Sequence, residues 1–177
     1  MPEEKLSNIL EEIKSIHIGI EKILQYISSQ SSSATCSMCV NVCCKEDICR
    51  ESIDSDFLRF ILGRKATDYH KDNGWFDKKT GCQITFGRPL VCYEYFCSQL
   101  KSDVRVFKLQ QLSKEFVNVY SRVFRERHIL EVDNINLIPM HKLTKTLQKL
   151  KDFKVKANKA MIEEIKLRRI SRPALNS

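Results

Sequence analysis

The sequence predicts a mostly α protein, in which a small cysteine-rich module with a short β-hairpin is flanked by long N- and C-terminal helices. Three observations predict it. Apolar residues recur at spacings of three and four towards both ends of the chain. Glycine and proline number only five and four in 177 residues, too few for the many tight turns of an all-β fold. All eight cysteines fall between Cys36 and Cys97.

The first element is a helix over about Glu3–Ile27. Leu6, Ile9, Ile13, Ile16, Ile20, Ile23 and Ile27 form an apolar seam of a/d type over about three heptads. The seam can pack against Leu143, Leu147, Leu150, Ala157 and Met161 of the same chain, or against a second copy as a homodimer; the first is favoured. Residues 1–27 therefore form one unit, and the serine-rich stretch 28–35 reads as a polar linker.

Residues 36–100 form the cysteine module. Within it, Asp54 or Ser55 can cap a helix that carries Leu58, Ile61, Leu62 and Tyr69 and ends near Asn73-Gly74. Trp75-Phe76, a turn through Gly81, and Gln83-Ile84-Thr85-Phe86 read as the hairpin. Pro89 suits the first turn of a brief helix through Tyr95. Residues 101–139 contribute a long helix with Leu109, Leu112, Phe116, Val119, Tyr120, Val123 and Phe124 on one stripe. Residues 140–177 form a basic helix and tail.

Composition is that of a globular domain, with 42% hydrophobic and 29% charged residues. The net charge of +8 belongs to the tail: 140–177 holds eleven Lys/Arg against three acids, while the remainder carries nineteen of each. A Lys/Arg-rich helix can bind nucleic acid through phosphate. Phe153 is its lone aromatic before the C-terminus, however, so a solvated face is the favoured reading.

The N-terminal Met1-Pro2-Glu3-Glu4-Lys5 carries acids where a secretory signal carries bases. No apolar run approaches the roughly 18 residues of a membrane span. A cytoplasmic location is expected, where thiols stay reduced and clustered cysteines bind metal or do redox work rather than pair as disulfides.

The cysteines make two groups. The first reads Cys36-x2-Cys39-x3-Cys43-Cys44-x4-Cys49, and the second Cys82-x5-Arg88-Pro89-x2-Cys92-x4-Cys97. A Cys-x2-Cys step lets a tight turn bring two thiolates onto one metal. Vicinal side chains point apart, so one of Cys43 and Cys44 is expected to join Cys36 and Cys39. The other reaches a second metal, completes a cluster from the far side, or packs inside. Cys92 and Cys97 stand about 140° apart on a continuous helix, so both can ligate only where the helix ends between them. Pro89 places Cys92 in a first helical turn, whose free amides should lower the thiol pKa. Arg88 can donate to cluster sulfurs or to a backbone carbonyl.

The arrangement resembles the zinc- or iron-chelating cysteine-cluster proteins, the YkgJ-like or CxxCxxCC group. The resemblance rests on Cys36-Ser37-Met38-Cys39 leading to Cys43-Cys44, and on Cys82-x-Ile84 before Arg88-Pro89-Leu90-Val91-Cys92 and Cys97. It implies a thiolate-bound iron–sulfur cluster or zinc, with Cys36, Cys39, Cys43, Cys44, Cys82, Cys92 and Cys97 as ligands. Two departures stand out. Three residues rather than two separate Cys39 from Cys43, and Gly74-Trp75 stands where the group carries a glycine followed by cysteine. Cys49 lies outside the pattern.

More than four thiolates favour an iron–sulfur cluster, of [4Fe–4S] type, over Zn2+. An electron-transfer or redox protein with an unknown partner is the leading reading. A zinc-stabilised interaction or nucleic-acid-binding module is the second, and a metal-dependent enzyme of unknown substrate the third. No nucleophile elbow, phosphate-cradling loop or HExxH pair offers a catalytic residue. His17, His70, His128 and His141 form no Cys/His spacing and read as surface or packing residues.

Overall fold

The computed structural model describes residues 2–32, 46–70, 72, 74–77, 81–89, 91–94, 104–124 and 134–171. Three long helices build the frame: α1 (Pro2–Ser32), α5 (Val104–Phe124) and α6 (Met140–Ser171). Between α1 and α5 lie α2 (Glu46–Asp54), α3 (Asp56–Leu62), two paired strands β1 (Phe76–Asp77) and β2 (Gly81–Cys82), and the single-turn α4 (Val91–Glu94). Two 3₁₀ turns, Gly63–Asp68 and Ile135–Leu137, complete the order. The described chain is mostly helical.

The α1 seam is consumed within the chain. Ile13, Ile16, Ile20, Ile23 and Ile27 are buried, and Leu10 and Leu24 beside them widen the stripe beyond a/d. A helix that faces two partners needs that wider stripe. Here the partners are α6, its most extensive neighbour, and α5. Leu6 and Ile9, the first two residues of the seam, are only partly buried. From α6 come Leu143, Leu147, Leu150, Phe153 and Ala157, all buried in the same core. Pro139 starts that helix, its carbonyl accepting the N–H groups of Lys142 (2.9 Å) and Leu143 (3.2 Å). Phe116 of α5 stacks on Phe153 with ring centroids 5.8 Å apart, and Tyr120 sits edge-on to Phe57 of α3.

Two of the α6 lysines are already paired within the chain, Lys151 with Glu12 and Lys156 with Glu115, each at 2.6 Å. Such half-exposed pairs contribute at most about 1 kcal/mol each.

Three local expectations change. Helix α1 runs on to Ser32, so residues 28–32 of the expected linker are helical; 33–35 lie outside the described residues. Serine and glutamine cost only about 0.5 kcal/mol each in a helix already nucleated, too little to end it. Helix α3 stops earlier than expected. Ser55 caps it by accepting from the Leu58 N–H at 3.3 Å, and Gly63, at φ 61°, closes it with its N–H on the Arg59 carbonyl. Tyr69 is then extended rather than helical.

The strand expected over 83–86 is also absent. Antiparallel pairing falls instead on Phe76 with Cys82 and Asp77 with Gly81. The carbonyls of Ile84 and Thr85 are taken by side chains, Arg88 and Gln25, so no ladder forms there. Phe57, Leu58, Ile61 and Tyr93 join the main core with α1, α5 and α6. A smaller cluster gathers Cys49, Leu62, Trp75 and Ile84, with Cys82, Tyr69, Ile53 and Ala66 against it.

Candidate metal centre

The second cysteine group is carried by a loop that the rest of the molecule holds at many points. Gly87 sits at its centre, with φ 76°, a conformation glycine adopts freely and other residues rarely. A Cβ there would lie 3.0 Å from Leu62 Cγ and 3.1 Å from the Leu58 carbonyl oxygen, so the backbone lies directly on α3. The Gly87 carbonyl accepts from Ser52 Oγ of α2 at 2.9 Å. Its N–H donates to Glu21 Oε2 of α1 at 2.8 Å. One residue thus ties the loop to three helices.

Arg88 closes the loop on itself. Its Nε and one terminal nitrogen both donate to the Ile84 carbonyl, at 3.0 and 2.9 Å. Of the two expected roles, donation to sulfur or to a backbone carbonyl, the geometry displays the second. Burial works against the guanidinium charge, but Tyr93, Cys82, Glu21 and Cys92 outweigh it and hold its pKa above the ordinary value. A cation is thereby held near Cys82 and Cys92, the two described cysteines of this group.

Cys92 lies in α4, whose first turn begins with its N–H on the Pro89 carbonyl at 3.0 Å. The residue carries exposed surface, yet protein atoms crowd its sulfur. That desolvation, followed by the neighbouring Cys82, pushes the thiol up to about 12, with Cys49 and Glu51 adding to it and Arg88 opposing. The expected lowering by the helix start is therefore overturned. A single turn has too few aligned amides to offset loss of solvent. Without metal the Cys92 sulfur is a thiol.

Cys82 ends β2 and is partly buried beside the Cys49–Trp75 cluster. Cys49, set aside in the sequence pattern, is buried on α2. It lies so close to Gly74 that a Cβ on that glycine would come within 2.7 Å of Cys49 Cβ. Gly74 itself is bridged to His70 by two backbone hydrogen bonds, and the next carbonyl, of Trp75, accepts from Gln83 N–H at 2.7 Å. Cys49 thus meets Gly74 from α2.

Cys36, Cys39, Cys43, Cys44 and Cys97 lie outside the described residues. Among the described residues no three His, Cys, Asp or Glu side chains form a ready ion site. Cys82 and Cys92 both interact with the Arg88 charge, and Cys49 and Cys82 both act on Cys92.

A buried polar chain supports this region. Glu21 and His17, one turn apart on α1, are both fully buried, with His17 Nε2 3.5 Å from Glu21 Oε2. His17 Nδ1 and the Tyr120 hydroxyl are hydrogen-bonded at 2.5 Å. Glu21 Oε1 accepts from the Arg88 N–H at 3.3 Å and from the Tyr93 hydroxyl. Desolvation would raise the Glu21 pKa, but His17, Tyr93 and the Gly87 amide outweigh it and hold the carboxyl below its ordinary value. Both phenols are pushed well above theirs, by burial first and Glu21 second, so they remain donors.

Sequence reading gave His17 a surface or packing role, set Cys49 outside the ligand pattern, and passed over Glu21 and Gly87. A signal for the first two polar groups existed: His17 and Glu21 stand at i and i+4 on the inner side of an otherwise apolar helix face. No family model matches the chain, and neither a curated protein nor a solved structure is detectably similar to it. No described helix is long and apolar enough to cross a membrane.

Proposed function

We propose that this chain is a metal-binding protein that holds an iron–sulfur cluster of [4Fe–4S] type through cysteine thiolates and serves electron transfer with a redox partner. The ligands are drawn from Cys36, Cys39, Cys43, Cys44, Cys82, Cys92 and Cys97, and Cys49 supplies a sulfur from beside Gly74. One observation carries the reading. Cys82 and Cys92 share a neighbourhood with Cys49, from a different helix, next to a guanidinium held charged. Free cysteine packs well as a small hydrophobe, but packing alone does not call for a partly buried cation beside thiols.

The residues present fit such a group chemically. Sulfur donors suit iron–sulfur chemistry, and Arg88 offsets the negative charge that thiolates acquire on binding. A bound cluster supplies one-electron transfer. Arg88 and Glu21 hold the loop that presents Cys82 and Cys92, and the Cys49–Trp75 cluster keeps water from one side. Metal-to-chain stoichiometry in single Cys→Ser variants tests the reading. Cys82→Ser and Cys92→Ser are expected to abolish stoichiometric metal. Full retention in both would remove them as ligands.

A further inference from the structure

Glu21 is fully buried, and its two oxygens reach the backbone and side chains on both sides of Cys92. Upstream, the Gly87 and Arg88 N–H groups donate to it at 2.8 and 3.3 Å; immediately downstream, so does the Tyr93 hydroxyl. A carboxylate only accepts, so every group around it must be a donor. That requirement fixes the direction of two successive amides and one phenol at once. The carboxylate is in turn held by His17, which is tied to Tyr120 on α5. Burying this charge costs several kcal/mol unless it is so surrounded. Gln25, on the same helix, adds a parallel tie through its side-chain amide to the Thr85 carbonyl.

We propose that Glu21 is a positioning residue for the Cys92 metal ligand: its carboxylate templates the backbone from Gly87 to Tyr93, so that the Cys92 sulfur is presented beside Cys82. The proposal rests on the reading of Cys82 and Cys92 as ligands. It assigns to α1, which carries no cysteine, control over the geometry of the site. Glutamine has nearly the shape of glutamate but turns one acceptor into a donor, so at least one of Gly87, Arg88 and Tyr93 loses its partner.

The test uses the full chain and cobalt(II), a spectroscopic stand-in for zinc or iron at thiolate sites. In Glu21→Gln, cobalt affinity is expected to fall by about 10–100-fold, the usual loss when an outer partner of a ligand is removed. The sulfur-to-cobalt absorption of the saturated protein is expected to fall below that of the unaltered chain. Glu164→Gln, which alters another buried carboxylate, on α6, is expected to behave as the unaltered chain. Backbone hydrogen exchange over 84–93 in the metal-free protein is read in parallel. It is expected to quicken in Glu21→Gln, with α5 and α6 unchanged.

Unaltered cobalt affinity and absorption in Glu21→Gln would overturn the proposal. If the unaltered chain shows no sulfur-to-cobalt absorption, the metal reading fails and the positioning of a ligand fails with it, while exchange still reports whether Glu21 orders the segment. Should Glu21→Gln not fold, Tyr93→Phe removes one donor alone. A smaller loss of cobalt affinity with faster exchange over 84–93 is then expected, and no change in either would overturn the proposal.

Discussion

Glu21 and Gly87 are 66 residues apart in sequence and joined by a 2.8 Å hydrogen bond from the Gly87 N–H to a buried carboxylate oxygen. The bond links the longest apolar seam of the chain to the loop that carries its second cysteine group. Because Gly87 also lies on α3, this contact is where frame and loop meet.

Gly87→Ala is therefore expected to destabilise the protein more than Gly63→Ala. Both glycines have positive φ, which costs an alanine about 1–3 kcal/mol. Gly63 has open space, its nearest atom being Lys14 Nζ at 4.0 Å, whereas Gly87 faces three atoms of α3 at 3.0–3.2 Å. Two of those three are backbone and cannot move aside. Urea unfolding of the two variants checks this, and equal shifts in midpoint would contradict it.

Stability should fall in acid, partly through Glu21. Its carboxyl lies below the ordinary 4.5 in the folded protein. A depressed folded pKa contributes stability that is fully present above the unfolded value and lost as pH falls through the folded one. The advantage of the unaltered chain over Glu21→Gln should thus be constant above about pH 4.5 and shrink below it. Asp56, also lowered, first by its bond from the Ile135 N–H, titrates in both proteins and cancels in the difference. Parallel stability curves down to strong acid would contradict the role given to Glu21.

Arg88→Lys separates charge from clamp. Lysine keeps the positive charge but cannot make the two converging bonds that Arg88 makes to the Ile84 carbonyl. Metal affinity is expected to drop by about 10–100-fold through loss of the clamp, and further in Arg88→Gln, which loses the charge as well. If lysine retained full affinity and glutamine did not, charge alone would explain Arg88.

The frame was legible in the sequence because its signals are periodic. The isoleucines of α1, the α5 stripe from Leu109 to Val123 and the Pro139 start of α6 are all read correctly from spacing. The cap of α3 is a local signal that narrowed to Asp54 or Ser55, and Ser55 is the one that caps. What stayed hidden depends on contacts between distant residues. Nothing near Glu21 announces that Gly87 and Tyr93 will surround it, and nothing near Thr85 announces that Gln25 of α1 will take its carbonyl. The Cys92 expectation failed for a related reason: helix-start amides are visible in sequence, whereas crowding of the sulfur is a tertiary property. Cys49 was set aside because a linear motif has no means of placing α2 against Gly74.

The basic face of α6 yields a further expectation. Lys151 and Lys156 are paired to Glu12 and Glu115, which takes two of the eleven basic residues of 140–177 away from phosphate. Binding to a generic oligonucleotide should be undetectable at low ionic strength. Tight binding that weakens steeply with salt and disappears on deleting 149–177 would show a phosphate-binding tail instead.

Metal identity after anaerobic purification tests the central claim most directly. The iron–sulfur reading predicts a brown protein with broad absorption near about 400 nm and about four iron and four sulfide per chain, as thiolate-held clusters give. Zinc has a filled d shell and gives no colour. A colourless anaerobic preparation with stoichiometric zinc and no sulfide would contradict the cluster, and one with no bound metal at all would contradict the metal centre itself.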